Sequence, residues 1–426
     1  MKLYKNVIIY GLTTLLGAIM PFLFLPIVTK LVNPYDYGIY AIIILLSQLI
    51  TPLISIGVPA FFAREYYKNN LLRFKKNISL ILFIPIAMLA LSEVILFIMQ
   101  DVHIILNIEK NMLYIIPLTT FSLVIPSILS TYYRINNEPY KYSFFEITQI
   151  IFQYSLLYYF LILETLTWEA LIYAFLIRGL VSSCFGYWTL YNNGFFVNLN
   201  FYSKFSKIYI YKSIKFGISL MPHALASRGI RSFDRIILNI LTTTSVTGIY
   251  MVSAQVTSIL LILISAINLA WTPYLFSELK NKNNKISLVK NIYKILFLSL
   301  LTLILLNYFI DPIFELFIAK QYHGAKDFIL FISIGYWFMV PYVLIIDILL
   351  YYNKIWLMSK ISIVNFFLNL VLLFILIDLF GPIGAAYATA ISYIIVFISM
   401  FVVVNITYKL PWLFFIKGNN CNPPKN

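Results

Sequence analysis

The chain predicts an all-α polytopic membrane protein with about twelve transmembrane helices in two six-helix lobes. Three observations predict it. Of its 426 residues, 61% are hydrophobic and only 11% charged, against about 25% charged in soluble domains. Apolar runs recur along the whole length, and about 20 such residues of helix cross a ~30 Å hydrocarbon core. The basic residues concentrate in alternate connections between those runs, which is the positive-inside pattern.

The first run, 6–31, follows Met1-Lys-Leu-Tyr-Lys-Asn6. It is too long for a signal-peptide core and no Ala-x-Ala site follows, so it reads as the first span. Further spans fall near 37–62, 78–99, 112–133, 142–162, 168–191, 213–240, 247–275, 288–310, 327–351, 357–378 and 383–406. The connections are short, the longest near 63–77, 192–212 and 276–287, so no soluble domain fits between them. Pro21, Pro26, Pro126, Pro222 and Pro341 interrupt spans and predict kinks.

With the N-terminus in the cytoplasm, 23 of the 31 basic residues lie on the inner side and only Lys30, Lys110, Lys320 and Lys326 outside. An even number of spans then puts both termini in the cytoplasm of a bacterial cytoplasmic membrane. The same asymmetry accounts for the net charge of +15 without nucleic acid. Residues 411–426 read as a cytoplasmic tail.

An internal repeat divides the chain. Tyr37-Gly38-Ile39-Tyr40-Ala41 opens the second span and Thr247-Gly248-Ile249-Tyr250-Met251 the eighth, at an offset of 210. Phe160-Leu-Ile-Leu-Glu164 with Tyr173-Ala174 recurs as Phe374-Ile-Leu-Ile-Asp378 with Tyr387-Ala388, at an offset of 214. The repeat predicts lobes at 1–200 and 201–410, inserted the same way and related by a pseudo-two-fold axis along the membrane normal. Transporters built so place their site between the halves.

The charges inside spans are the candidate functional residues. The seventh span carries Arg228, Arg231, Asp234 and Arg235. An arginine facing lipid costs about 2.5–3.5 kcal/mol on insertion scales, so these residues must face a partner or a wet cavity. On one continuous helix, Arg228, Arg231 and Arg235 share an arc of about 60° beside Asp234. One reading is a cationic stripe for phosphate, since guanidinium grips phosphate bidentately. The other is Asp234 clamping Arg231 or Arg235 as a buried pair. Arg178 sits mid-span with Glu93 or Glu146 as acidic partners in the same lobe. Asp347 and His223 are candidates for proton or cation coupling, or satisfied bundle residues. Cys184 and Cys421 form no framework, and His103, His223 and His323 are scattered. No Walker loop, His-x-x-x-His pair or cysteine cluster is present, so the sequence predicts no enzyme, metal centre or cofactor.

Several stretches together resemble a known family. They are Lys215-Phe-Gly-Ile-Ser-Leu-Met-Pro222, Phe233-Asp-Arg-Ile-Ile-Leu238, Thr247-Gly-Ile-Tyr250 and Pro273. In the first half the matching stretch is Thr29-Lys30 followed by Tyr35-Asp-Tyr-Gly38, and near the end Gly381-Pro-Ile-Gly384-Ala-Ala-Tyr-Ala388-Thr. The chain thereby resembles the Wzx-type polysaccharide flippases of the multidrug/oligosaccharidyl-lipid/polysaccharide (MOP) exporter superfamily. The resemblance implies a central cationic cavity and alternating access. It also implies export of undecaprenyl-pyrophosphate-linked repeat units, such as those of O-antigen, with a H+ or Na+ gradient as the coupling source. It implies a polysaccharide polymerase and a chain-length regulator as partners. Lys30 stands where that family often has arginine, which adds it to the substrate-binding candidates Arg178, Arg228, Arg231 and Arg235. A multidrug or cation antiporter of the same superfamily is the rival transporter. A polysaccharide polymerase is the rival enzyme, but its large outer loop has no counterpart here.

Overall fold

The computed structural model describes residues 2–68, 74–75, 78–106, 109–163, 168–196, 204–229, 232–281, 285–352 and 354–412. The described residues form helices and connecting turns, with no strand among them. The first half contains α1 (Lys2–Leu31), α2 (Pro34–Ser55), α3 (Val58–Lys68), α4 (Ile84–Ile98), α5 (Val102–Ile105), α6 (Lys110–Ile135), α7 (Pro139–Ile162) and α8 (Trp168–Asn192). The second contains α9 (Lys204–Gly229), α10 (Phe233–Leu241), α11 (Thr244–Asn281), α12 (Lys285–Tyr308), α13 (Ile310–Phe317), α14 (Lys326–Tyr351), α15 (Ile355–Phe380) and α16 (Ile383–Thr407). A 3-10 segment, Lys320–Ala325, leads into α14.

Eleven of the twelve expected spans are helices long and apolar enough to cross a membrane. The twelfth is a correction. The seventh span does not run unbroken through 213–240: α9 ends at Gly229 and α10 begins at Phe233. Ser232 N–H turns back onto the Gly229 carbonyl, closing a turn where a glycine and a serine are weak helix formers. The second span is also shorter than expected, because α2 stops at Ser55. Ile56 and Gly57 both take positive φ, at 40° and 65°, and re-aim the chain into α3. The prolines at 21, 26, 126, 222 and 341 lie inside helices that continue through them.

The core is arranged so that the halves are joined at one end. One cluster mixes both halves, with Leu25, Val28, Val32 and Tyr37 packed with Leu238, Tyr250, Phe314 and Tyr322. Elsewhere each half keeps its own cluster. In the first half it is Phe61, Phe62, Phe74, Tyr132 and Phe195. In the second it is Trp271, Leu275, Ile292, Leu344, Ile348 and Met400. The N-terminal part of α9 departs from its own half, since Tyr209, Ile214 and Phe216 pack on the first-half cluster. Gly57 and Gly217 make that packing possible, because a Cβ on Gly217 would collide with the Ile56 carbonyl. Tail residue Trp412 docks back on α16 and α12, its indole N–H on Asn405 Oδ1 at 2.6 Å and its carbonyl on the Tyr293 hydroxyl at 2.8 Å. Residues 413–426 lie outside the described residues.

Candidate functional site

The helix break between Gly229 and Phe233 separates charges expected on one face. Arg228 ends α9, and Nη1 donates to the Gln48 carbonyl of α2 at 2.5 Å, so it bridges the halves. Asp234 and Arg235 open α10. Because a turn at Ser232 intervenes, Arg228 and Arg235 do not share the arc that one continuous helix would give them. Arg231 lies outside the described residues, as does the side chain of His223 in α9.

Asp234 is buried and doubly engaged. Oδ1 accepts the Arg235 backbone N–H at 2.9 Å and lies 3.9 Å from Arg235 Nε. Oδ2 accepts the Tyr250 hydroxyl at 3.2 Å. A carboxylate in the first turn of α10 also meets the positive end of that helix. Arg235 Nε itself is buried without a hydrogen bond.

Arg178 occupies the middle of α8 in the other half. Nη1 reaches Gln149 Oε1 at 3.5 Å, the guanidinium lies 4.7 Å from the Phe175 ring centre, and Nε is buried with no hydrogen-bond partner. It lines a cavity of about 250 Å³ shared with Ser130, Arg134, Glu146 and Gln149. Ser130 donates to Glu146 Oε1 at 2.5 Å. Of the two acidic residues open to Arg178 in the sequence, Glu146 is the one within its electrostatic reach.

A stacked pair of tyrosines on α2 lies where that helix meets the second half. Tyr40 lies within electrostatic reach of Arg178. It stacks on Tyr37, ring centres 5.8 Å apart. Tyr37 lies within reach of Arg235 from the opposite half, and its hydroxyl donates to Gln255 Oε1 of α11 at 2.6 Å. Gln255 in turn donates to the Pro21 carbonyl of α1. Arg228 therefore makes an arginine hydrogen bond across the seam, while Arg178 lines a cavity walled by first-half residues and Arg235 pairs with Asp234 in the second half. Cation faces, tyrosine hydroxyls and weakly occupied guanidinium N–H groups suit an oxyanion.

Other candidates lie elsewhere. Lys30 is exposed in the last turn of α1, away from the buried part of the seam. Asp347, half-buried in the C-terminal part of α14, accepts the Thr272 hydroxyl at 2.5 Å, and that hydroxyl also lies 3.1 Å from Asn268 Oδ1. One feature escaped the sequence reading. Asn365 and Asn369 of α15 are buried, Asn369 Nδ2 donates to Ser392 of α16 at 2.8 Å, and both Oδ1 atoms lack a hydrogen-bond partner. The signal was present, because two asparagines four residues apart share one face of an otherwise apolar helix.

Comparison with known proteins gives concordant matches. The family model described as polysaccharide biosynthesis protein matches residues 3–280, more than half the chain. Lsg locus protein 1 of Haemophilus influenzae is 22% identical over 373 residues, covering 86% of this chain and 89% of its own. Among solved structures, the lipid II flippase MurJ in an inward closed conformation superposes with a TM-score of 0.72 at 15% identity, over 97% of this chain and 94% of that one. An inward-facing multidrug resistance MATE family transporter of the MOP superfamily gives 0.69 at 12% identity, over 94% and 96%. These two likenesses establish a shared fold.

Proposed function

The chain belongs to the polysaccharide biosynthesis protein family, and on that premise we propose that it is a flippase for lipid-linked oligosaccharides. Family and fold together place it among membrane transporters rather than enzymes. In the proposed reaction an undecaprenyl-pyrophosphate-linked repeat unit enters from the inner leaflet of the bacterial cytoplasmic membrane and leaves at the outer leaflet. Alternating access between the two halves moves it. Both chain termini lie in the cytoplasm, and a H+ or Na+ gradient supplies the coupling. A polymerase and a chain-length regulator receive the product.

The observation that carries this reading is the seam itself. Arg228 joins α9 to α2, Tyr37 of the first half bonds Gln255 of the second, and Arg178 and Arg235 are further cations inside the two halves. Cations placed where the halves meet would hold an anionic headgroup while the halves rock around it. Arg231, in the connection between Arg228 and Arg235, is proposed to contribute to the same charge. Asp234 positions Arg235, while Asp347, Glu146 and His223 are the candidates for ion coupling. Lys30 would meet the headgroup only at its outward exit.

Removing the protein from its host tests the proposal. Lipid-linked oligosaccharide should accumulate while surface polysaccharide is lost, with drug sensitivity unchanged. Intact surface polysaccharide together with new sensitivity to lipophilic cations would favour the antiporter reading instead.

A further inference from the structure

We infer that Gly38 and Gly248 form the outer gate of this protein, held shut here by two latches built on Gln321 and Asn239. The inference rests on the alternating-access reading and on the cytoplasmic placement of the N-terminus.

The gate follows the internal repeat residue by residue. Asn33 caps α2 by accepting the Asp36 N–H at 2.9 Å, and Thr243, 210 positions on, accepts the Val246 N–H at 3.3 Å ahead of α11. Five residues beyond each cap stands a glycine of the repeat, Gly38 in α2 and Gly248 in α11. A Cβ on Gly38 would collide with the Thr244 carbonyl, and a Cβ on Gly248 with the Pro34 carbonyl. Thr244 is four residues before Gly248, and Pro34 four before Gly38. The contact maps onto itself when the halves are exchanged, as a pseudo-two-fold axis through the crossing requires. Glycines let two helix backbones meet with no side chains interlocked between them.

The latches flank the crossing. The last carbonyls of α1 have no donor within their own helix. Gln321 Nε2 donates to the carbonyls of Thr29 and Val32, each at 3.0 Å, and the Tyr322 hydroxyl also reaches Val32 O at 3.0 Å. On the other side Asn239, 210 positions after Thr29, donates to the Leu106 carbonyl at 2.5 Å. Each half thus docks the outer end of its leading helix segment on the connector of the other. At the outer surface water can take over every one of these carbonyls. The fit is close and the bonds are replaceable, so the seal can shut tightly and still release.

The test uses single cysteines in a background with Cys184 and Cys421 replaced by serine. Gln255→Cys lies about 16 Å beyond the start of α11, on the inner side of the crossing. In intact cells a membrane-impermeant maleimide should label it slowly. Adding Gly38→Leu or Gly248→Leu should raise labelling from outside about ten-fold, because a wedge at the crossing shifts the population toward the open state. Unchanged labelling in a fully abundant protein would overturn the gate, and a rise seen only in inverted vesicles would overturn its outer placement. A second arm does not depend on the glycine variants folding. Leu31→Cys and Lys320→Cys, exposed neighbours of the Gln321 latch, are joined by a reductant-cleavable bis-thiosulfonate. Joining them should abolish outside labelling of Gln255→Cys, and reduction should restore it. Equal labelling in the joined and reduced protein would contradict the latch. Labelling needs no cargo, so its outcome is separable from the identity of the substrate.

Discussion

Tyr37 of the first half donates a 2.6 Å hydrogen bond to Gln255 of the second, and the same glutamine donates onward to the Pro21 carbonyl of α1. One amide thus ties α1, α2 and α11 together. Tyr37→Phe removes the donor and leaves a half-buried acceptor unmet, at a cost of roughly 1–3 kcal/mol. The purified variant should unfold at a lower temperature than wild type while still folding and inserting. Static light scattering on heating, with wild type alongside, measures the difference.

The Asp234–Arg235 pair predicts an asymmetric pair of mutants. Asp234→Ala leaves a buried guanidinium without its carboxylate, a loss of roughly 3–5 kcal/mol for a broken buried pair. Protein abundance in the membrane should fall sharply. Arg235→Gln added to Asp234→Ala removes the stranded charge and should partly restore it. Quantitative immunoblots of membranes report both, and an Asp234→Ala protein as abundant as wild type would contradict the pairing.

Arg228 bridges to a backbone carbonyl, so its contact is one that any long cation could make, whereas a bidentate grip on phosphate needs the guanidinium. Arg228→Ala should lower surface polysaccharide with normal protein abundance, and Arg228→Lys should recover only part of it. Full recovery by lysine would reduce the role of Arg228 to a simple positive charge.

Eleven of the spans and the all-helical, two-lobed class were legible in the sequence because hydropathy and length are fixed by the bilayer, not by partners. The repeat around Gly38 and Gly248 was legible as well, but not its meaning, since only packing shows that the two glycines meet. The break between Gly229 and Phe233 was hidden by apolar residues on both sides of it, so the sequence put Arg228 and Arg235 on one arc that the structure does not give them. Arg178 and Glu146 were visible as a candidate pair because a mid-span charge demands company. Asn365 and Asn369 were passed over because neutral amides do not stand out in a search for charge, although burial makes their unmet oxygens costly.

Membrane potential offers a further prediction. The inner side is negative, and moving one charge through 100 mV is worth about 2.3 kcal/mol. Export of an anionic headgroup is therefore favoured, and so is the inward return of an empty, net-cationic seam. Collapsing the potential with an ionophore while keeping a cation gradient should raise outside labelling of Gln255→Cys. Unchanged labelling would shift the coupling role to ion binding at sites such as Asp347.

The central claim is that the seam recognises an anionic headgroup. Purified protein in lipid nanodiscs, titrated with a polyprenyl pyrophosphate and with the uncharged polyprenol of the same length, tests it most directly. The account predicts a preference of at least about ten-fold for the pyrophosphate, a difference of about 1.4 kcal/mol. The preference should vanish in an Arg178→Gln, Arg228→Gln double variant that remains folded. Equal affinity for the two lipids in the wild type, or tighter binding of a lipophilic cation, would contradict it.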